Sequence, residues 1–365
     1  MAQTEITVPE LDAAAVASFQ QHLVQSNRIV AVIGAGLSAA SGLATFRGTG
    51  GRWAKHDVFM VASPAGWRRD PGLVWQFYAE RRRESLRASP NPAHHALAAL
   101  AKHKPGFVAL SQNVDGLLQR AGMVPGSGPG NEDKQLKLLH GNLFDLVCED
   151  STGCGYVEEN KVEEPICEVL SEEAVKKRAL GQNVMGMDVE DKPPKASALL
   201  FEAIAAKNKK ILGGDKFTET APTATDGAPL RELGEDAKAK MPDTAPVLHS
   251  GIEKSELPTC PKCKVHLLRP RVVWFGETLP VDIVAEVDAL FEEDKIDLCL
   301  VIGTSSQVWP TAGFCERARA CGAKVAWVNT RAEDLKSLRD GDWVFLGDAG
   351  VVLPEILGVY GQDTG

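Results

Sequence analysis

The sequence predicts an α/β fold with a doubly wound parallel β-sheet and a second, smaller domain. Short apolar runs such as Ile29–Ile33 and Leu298–Ile302 end in Gly, Ser, Thr or Asn, as strands buried on both faces of a parallel sheet do. Helical hydrophobic patterns separate these runs, which is typical of βαβ units. Two widely separated pairs of cysteines indicate a metal centre in the smaller domain.

The composition excludes several classes of protein. The chain has 365 residues, 44% of them hydrophobic, and its net charge of −9 argues against nucleic acid as a partner. No apolar run reaches the roughly 18 residues of a membrane span. Residues 1–28 resemble neither a secretory signal nor an Arg-rich presequence, so a cytoplasmic or nuclear location is expected. Eight cysteines are too few for a disulfide scaffold, so closely spaced pairs point to metal binding.

A glycine-rich turn follows the first predicted strand. An amphipathic helix is expected over residues 11–27, and the strand Ile29–Ile33 then leads into Gly34-Ala35-Gly36. Glycines after a strand let the backbone approach a pyrophosphate, and the N-terminus of the next helix attracts anions. The spacing is not G-x-G-x-x-G, so the segment alone could equally be a tight turn. The residues expected to bind a phosphate-bearing ligand here are Gly34, Ala35, Gly36 and Ser38.

Further polar residues follow two later strands. The apolar run Phe107–Leu110 ends in Gln112, Asn113 and Asp115, and another strand is followed by His140. Polar residues at the carboxyl ends of parallel strands commonly bind ligands. The same residue types also favour ordinary turns, and a lone histidine before a glycine is often structural. Each group taken alone therefore leaves both interpretations open.

Four cysteines are candidate metal ligands. Cys148 and Cys154 form a C-x5-C pair, and Cys260 and Cys263 form a C-x-x-C pair. Four thiolates would complete a tetrahedral Zn²⁺ site without an open position, which makes the predicted zinc structural. Cys167 is an alternative ligand, and some of these thiols could instead be buried and inert.

The segment between the cysteine pairs, about residues 158–258, is poor in aromatic residues and rich in charged and small ones. Such a composition buries little apolar surface, so much of the segment is expected to be mobile, with one helix over residues 196–209. The segment could bind a partner, or it could be a surface insertion without a function of its own.

Together the motifs resemble those of the sirtuins, the NAD-dependent protein deacylases. The resemblance covers about residues 28–155 and 258–357. Ala44 stands where the family usually has proline, so the cofactor loop is expected to be less rigid. The matching motifs are G-A-G-x-S (34–38), F-R-G (46–48), Q-N-V-D (112–115), L-H-G (139–141) and R-P-x-V-V-x-F-G-E (269–277).

The resemblance implies a Rossmann-like NAD-binding domain, a structural zinc site, and roles for individual residues. The acyl oxygen would attack C1′ of the nicotinamide ribose, and the products would be nicotinamide, O-acyl-ADP-ribose and free lysine. His140 would be the general base, Asn113 would position the ribose or a water, and Asp115 would hold the nicotinamide amide. Gln112 would bind the ribose, and Ala44, Thr45, Phe46 and Arg47 of the cofactor loop would also contact NAD. Further cofactor contacts implied are Gly303, Thr304, Ser305, Asn329, Thr330 and Ala349, and acyl-lysine contacts implied are Val272, Val273, Phe275, Gly276 and Glu277.

One helix predicts the acyl preference. Residues 72–86 read as a helix that carries Tyr78 and Arg81 on one face, where a phenol and a guanidinium could hold a carboxylate. This pair resembles the Y-x-x-R of class III sirtuins, which remove succinyl, malonyl and glutaryl groups. Ala62 matches the small residue that leaves room for a longer acyl chain in that branch. The alternative is a solvated basic face, in which the arginines of residues 81–83 pair with neighbouring glutamates.

The predicted function is therefore NAD-dependent removal of acidic acyl groups from lysine in proteins or peptides, by a monomer. The alternatives are a deacetylase or mono-ADP-ribosyltransferase on the same scaffold, or a non-enzymatic NAD-dependent binding module. A mitochondrial location is a second option, because class III sirtuins are often mitochondrial. The expected domains are an N-terminal helix (1–27), an NAD-binding domain (28–147 and 264–365) and a zinc domain (148–263) that carries the insert.

Overall fold

The structure is a computed structural model that describes residues 11–44, 58–126, 134–183, 250–292, 295–306, 308, 310–332, 335 and 338–358. Thr45, Phe46, Arg47 and the helix predicted over residues 196–209 lie outside the described residues. None of the described helices is both long enough and apolar enough to cross a membrane.

The chain alternates strands and helices. The strands are β1 (Ile29–Ile33), β2 (Phe107–Ser111), β3 (Leu136–Leu138), β4 (Gly141–Cys148), β5 (Val157–Glu158), β6 (Leu268–Val272), β7 (Leu298–Ile302), β8 (Lys324–Asn329) and β9 (Trp343–Leu346). The helices are α1 (Ala13–Gln25), α2 (Val58–Val61), α3 (Pro64–Arg69), α4 (Pro71–Arg87), α5 (Pro92–His103), α6 (Leu117–Arg120), α7 (Glu172–Asn183), α8 (Val281–Glu292), α9 (Phe314–Ala320) and α10 (Ala349–Ile356).

Six strands form a parallel sheet in the order β3-β2-β1-β7-β8-β9. The strand order reverses between β1 and β7, and this switch point is where doubly wound sheets bind ligands. Ile29, Ala31 and Ile33 face one apolar core, and Val30 and Val32 face the other. Burial on both faces explains why the strands are continuous apolar runs. The sheet confirms the predicted fold class.

Glycines allow the ends of β1 and β7 to touch. Gly36 donates its N–H to the carbonyl of Gly303 at 2.9 Å, and a Cβ on Gly36 would lie 2.5 Å from the Cα of Gly303. Gly303 itself has a φ of +57°. A larger residue at either position would push the two turns apart. The segment Ala35–Ser41 that follows is a 3₁₀ helix.

A second, antiparallel sheet has the order β5-β4-β6. Its side chains pack with α2, α3 and α4 in a separate core that contains Trp67, Tyr78, Cys148 and Trp274. β4 begins before residue 148 and β6 lies after residue 263, so this sheet extends beyond the limits expected for the small domain. The predicted domain boundaries stay a prediction.

The first part of the 158–258 segment is held in place by α4. Arg82 is fully buried and donates to the carbonyls of Leu143 (2.6 Å) and Lys161 (2.6 Å) and to the carboxylate of Glu164 (3.0 Å). Helix α7 follows a few residues later. Composition alone did not predict that this part of the segment has a defined structure. The hydrogen bonds that hold it come from Arg82, a buried residue of a different element.

Candidate active site

Polar side chains meet at the carboxyl edge of the parallel sheet. Ser38 Oγ donates to the Asp115 carboxylate at 2.7 Å, and the Leu117 N–H donates to the same carboxylate at 2.9 Å. Asn113 Nδ2 donates to Ser38 Oγ (3.3 Å) and to the carbonyl of Gly34 (3.1 Å). Burial raises the pKa of Asp115. The structure therefore brings together residues that the sequence offered in separate motifs.

The same edge continues across β7 and β8. Gln112 Nε2 donates to Thr304 Oγ1 at 3.3 Å, and Asn329 Nδ2 donates to the carbonyl of Thr304 at 3.0 Å. Ser305 and Thr330 follow in the same two turns, and Ala349 is the buried first residue of α10. We call the interacting set the edge network. It consists of Ser38, Gln112, Asn113, Asp115, Thr304 and Asn329.

His140 lies where β3 passes into β4. Its Nδ1 is 3.1 Å from the carbonyl oxygen of Gln112. A carbonyl only accepts, so Nδ1 carries the proton and Nε2 keeps a free lone pair in the neutral ring. Burial lowers the pKa of His140, which keeps the ring neutral at pH 7. Gly141, paired with Val272, has a φ of +77°, and a Cβ there would lie 2.0 Å from the Arg271 carbonyl.

The stretch after β6 links His140 to the predicted acyl pocket. Val273 donates its N–H to the carbonyl of His140 (3.0 Å), and Phe275 donates its N–H to the carbonyl of Ala62 (2.9 Å). Gly276 has a φ of +91°, a conformation that favours glycine. These backbone N–H groups are used within the protein, so a bound peptide must pair with other groups.

Tyr78 projects from α4 into the second core, and the partly buried Arg81 follows it about one turn later on the same helix. Tyr78 is buried and stacks on Trp274, with ring centroids 6.4 Å apart. Burial raises the pKa of the Tyr78 phenol, which therefore keeps its proton. The Arg81 guanidinium lies 4.5 Å from the centroid of the Phe77 ring, and burial lowers its pKa. Among the described residues, neither side chain has a partner at normal hydrogen-bond distance and angle.

The next two arginines of α4 are paired with a carboxylate, unlike Arg81. Arg82 and Arg83 both bond to the carboxylate of Glu164, at 3.0 and 3.1 Å, and Arg83 also donates to the carbonyl of Leu170. The alternative of a solvated basic face is therefore wrong for these two residues. Within the described part of the chain, Arg81 alone of the three lacks a carboxylate within ion-pair distance.

The carboxylate of Glu277, which stays a predicted substrate contact, is held by other residues of the protein. Arg269 forms two hydrogen bonds with it, at 2.7 and 2.9 Å. One of the same oxygens accepts the backbone N–H of Trp274 at 2.9 Å. Glu277 therefore fixes the turn after β6, which a sequence motif without its partners could not reveal.

The four predicted cysteines lie together. The Sγ atoms of Cys148, Cys154, Cys260 and Cys263 are all within 4.8 Å of one another, and Cys167 is not part of this group. Two of the Sγ–Sγ distances are 3.8 and 3.7 Å. Tetrahedral Zn–S bonds of about 2.3 Å place the sulfurs roughly 3.8 Å apart, so the geometry fits Zn²⁺. The cluster could hold a structural zinc ion.

The sequence analysis missed two buried residues beneath the edge network. Asn91 Nδ2 donates to the carbonyl of Leu37 at 2.8 Å, and His94 Nε2 lies 3.4 Å from Ser38 Oγ. Burial lowers the pKa of His94 to about 4. The spacing Asn91-Pro-Ala-His94 forms a capping box at the start of α5, and that spacing was the signal that could have identified both residues.

Comparison with known proteins agrees with this geometry. The family model described as the Sir2 family matches residues 34–184 and 237–310. A Candida albicans protein named NAD-dependent protein deacylase is 39% identical, covering 92% of this chain and 94% of its own length. The Canis lupus familiaris protein named NAD-dependent protein deacylase sirtuin-5, mitochondrial, is 34% identical, covering 93% of this chain and 84% of its own.

A solved structure of a Sir2 homologue in complex with NAD is also similar. Its TM-score is 0.60 and its sequence identity is 26%, covering 95% of this chain and 94% of that chain. The family model, the relatives and the fold all lead to one assignment. The chain belongs to the Sir2 family, the sirtuins.

Proposed function

We propose that this protein removes acidic acyl groups, such as succinyl, malonyl and glutaryl, from lysine side chains of proteins. The chain is an NAD-dependent protein deacylase, and the proposal concerns its acyl group and the residues that act on it. The observation that carries the proposal is Arg81, a partly buried guanidinium that lies over the Phe77 ring, close to Tyr78 on the same helix, without a carboxylate within ion-pair distance among the described residues.

A buried charge normally has a partner, because its desolvation is costly. Arg82, on the same helix, obtains Glu164 for this purpose. For Arg81 we infer that the partner is the free carboxylate of the acyl group. A guanidinium fork matches both oxygens of a carboxylate, and a protonated phenol adds a neutral donor. An acetyl group offers no charge to this pocket.

NAD, when bound, supplies an electrophilic ribose carbon and a nicotinamide leaving group. We propose that His140 accepts a proton from a ribose hydroxyl at its free Nε2, while the Gln112 carbonyl holds the ring by Nδ1. Asn113 and Asp115, both bonded to Ser38, are proposed to orient the ribose and the nicotinamide amide. The glycine turn after β1 and the polar carboxyl edge of the sheet suit a dinucleotide.

An acyl-peptide panel tests the proposal. Peptides that differ only in the acyl group on lysine (acetyl, malonyl, succinyl or glutaryl) are incubated with NAD, and O-acyl-ADP-ribose is quantified by mass spectrometry. We expect kcat/KM for the succinyl peptide to exceed that for the acetyl peptide by about tenfold or more. Equal or faster turnover of the acetyl peptide by the parent protein would remove the proposal.

Two substitutions on α4 provide the matched comparison. Arg81→Met keeps most of the side-chain length and removes the charge, so we expect it to invert the acyl order. Arg87→Met removes an exposed arginine whose partner is Glu172, and it should leave the order unchanged. If both variants change the succinyl-to-acetyl ratio equally, Arg81 has no special role.

The compartment is also a matter for experiment. The name of the dog relative places that protein in mitochondria, whereas the composition of residues 1–28 predicted the cytoplasm or nucleus. We propose the mitochondrial location on the strength of this similarity. Imaging of the full-length tagged chain tests it, and a diffuse cytoplasmic or nuclear signal would support the composition-based prediction instead.

A further inference from the structure

Trp274 differs from every other tryptophan that the structure describes. It is 2% exposed, and its Nε1 has no partner that meets hydrogen-bond distance and angle among the described residues. A buried donor without an acceptor is costly, and such a donor in a native protein calls for an explanation. The other four described tryptophans all donate their indole N–H: Trp67 to Glu149 (2.7 Å), Trp75 to the Leu268 carbonyl (2.9 Å), Trp327 to Asp342 (3.0 Å) and Trp343 to Ser18 (3.4 Å).

The Trp274 ring is held on several sides. The Arg269 guanidinium lies 3.7 Å from the ring centroid and is itself fixed by Glu277. Glu277 also accepts the backbone N–H of Trp274. The Trp67 ring packs against it with centroids 5.5 Å apart, and Tyr78 stacks on it at 6.4 Å. These contacts prevent the indole from turning towards another acceptor. The packing around the ring therefore fixes the direction of its N–H.

Two further polar groups lie near this ring. The Tyr78 ring stacks on it, and the Arg81 guanidinium lies over the Phe77 ring, which is in edge contact with Tyr78. The indole N–H lies close enough to the Tyr78 phenol to oppose the rise in its pKa, and the charge of Arg81 acts on the same phenol. None of the three polar groups has an acceptor in hydrogen-bond geometry among the described residues. A carboxylate has two oxygens with about four lone-pair positions, which is enough for a guanidinium, a phenol and an indole.

We propose that Trp274 is a specificity-determining residue, which donates its indole N–H to the free carboxylate of the acyl group as the third donor beside Tyr78 and Arg81. Arg269 and Glu277 are positioning residues, because they act only through the Trp274 ring. The inference rests on the proposed function, since it assigns a further residue to the same acyl pocket.

Two replacements of Trp274 test the inference in the full chain. Trp274→Phe keeps an aromatic ring and removes the N–H. Replacement by 3-benzothienylalanine keeps the size of the indole and exchanges only the N–H for sulfur, so packing is preserved if phenylalanine perturbs the fold. In both proteins we expect KM for the succinyl-lysine peptide to rise about tenfold, as for a lost hydrogen bond to a charged group. KM for the acetyl peptide should change by less than about twofold.

Trp67→Phe is the matched control. It removes the N–H of a tryptophan that contacts Trp274 but donates to Glu149. We expect this variant to unfold at a lower temperature and to retain the parent's succinyl-to-acetyl ratio. The unchanged ratio separates a general loss of packing from the loss of a donor to the ligand.

The outcomes are distinct. If succinyl and acetyl KM rise together in the Trp274 proteins, the residue only packs and the inference is overturned; if neither changes, the N–H is not used and the inference is again overturned. Failure of the proposed function looks different, because the parent protein would then favour acetyl peptide. In that case Arg81→Met would also leave the acyl ratio unchanged, whatever the Trp274 proteins do.

Discussion

The two sides of the active site satisfy their polar groups in opposite ways. In the edge network, side chains such as Ser38 and Asn113 bond to one another and to backbone carbonyls. In the proposed acyl pocket, the donors of Tyr78, Arg81 and Trp274 have no acceptor in hydrogen-bond geometry among the described residues. If the proposed function is correct, the cofactor side is organised before its ligand arrives, whereas the acyl side is completed by its ligand.

The two sides also belong to different cores. The edge network sits on the parallel sheet, whereas Tyr78 and Trp274 share the second core with Cys148 and Cys260. We therefore expect perturbations of one core to leave the other side's ligand binding largely intact.

Loss of a zinc ligand should have the largest effect. It should abolish acyl-peptide binding and leave NAD binding intact. Cys260→Ser removes one of four ligands from a site whose metal binding contributes on the order of 10 kcal/mol to folding in small zinc domains. We expect the variant to lose zinc and acyl-peptide binding while NAD binding and the parallel sheet remain. Metal analysis, calorimetry with each ligand and circular dichroism measure this. A zinc-free variant that still binds acyl peptide like the parent would contradict the shared core.

Removal of the base should affect chemistry on all substrates alike. His140→Gln deletes the free imidazole lone pair, so kcat/KM should fall by roughly 10² to 10⁴ for every acyl peptide. The affinity for NAD, measured by calorimetry, should stay near that of the parent because the edge network remains bonded. Retention of more than about a tenth of the parent rate would contradict the assignment of His140 as base.

The histidine beneath the edge network should make stability depend on pH. Burial lowers the pKa of His94 to about 4, against about 6.5 in an unfolded chain. Above pH 6.5 neither state binds the proton, and as the pH falls towards 4 only the unfolded state does. The free energy of unfolding should therefore decrease by up to about 3 kcal/mol over this window.

Urea titrations at pH 7.5 and 5 compare the parent with His94→Gln, which cannot titrate at this position. The other acidic and basic groups are common to both proteins, so the difference between the two slopes isolates His94. We expect the parent to lose more stability than the variant on acidification. Equal losses would mean that His94 is protonated in the folded protein.

Removal of the Tyr78 hydroxyl, a neutral hydrogen-bond donor, should have the smallest effect. The effect should be seen in acyl-peptide binding and not in NAD binding. Tyr78→Phe retains the stack on Trp274 and removes the phenol hydroxyl. We expect KM for the succinyl peptide to rise about fivefold, with little change for the acetyl peptide or for NAD. A comparable rise for both acyl peptides would show that Tyr78 shapes the pocket without binding the carboxylate.

The sequence predicted most of the parallel sheet because its strands are buried on both faces. β1 and β7 have the predicted bounds, and α4 extends one residue beyond the prediction at each end. Polar residues at strand ends also indicated the edge network, since topology brings the carboxyl ends of parallel strands to one edge.

The rest depends on contacts between distant segments, which local patterns do not encode. Arg82 resembles Arg81 in the sequence, yet among the described residues only Arg82 has a carboxylate, that of Glu164, within ion-pair distance. The motif that contains Glu277 does not show that Arg269 holds its carboxylate. Trp274 lies in the same motif, but only the surrounding side chains show that no described residue accepts its N–H in hydrogen-bond geometry.

The most direct measurement compares two substrates of nearly equal shape. A succinyl-lysine peptide and its succinamoyl twin differ only in a terminal carboxylate that becomes a neutral carboxamide. With the parent protein and NAD, we expect KM for the succinyl peptide to be lower by about tenfold or more. Only the carboxylate provides a negative charge that can pair with the Arg81 guanidinium. Equal KM values for the two peptides would contradict the acyl pocket described here.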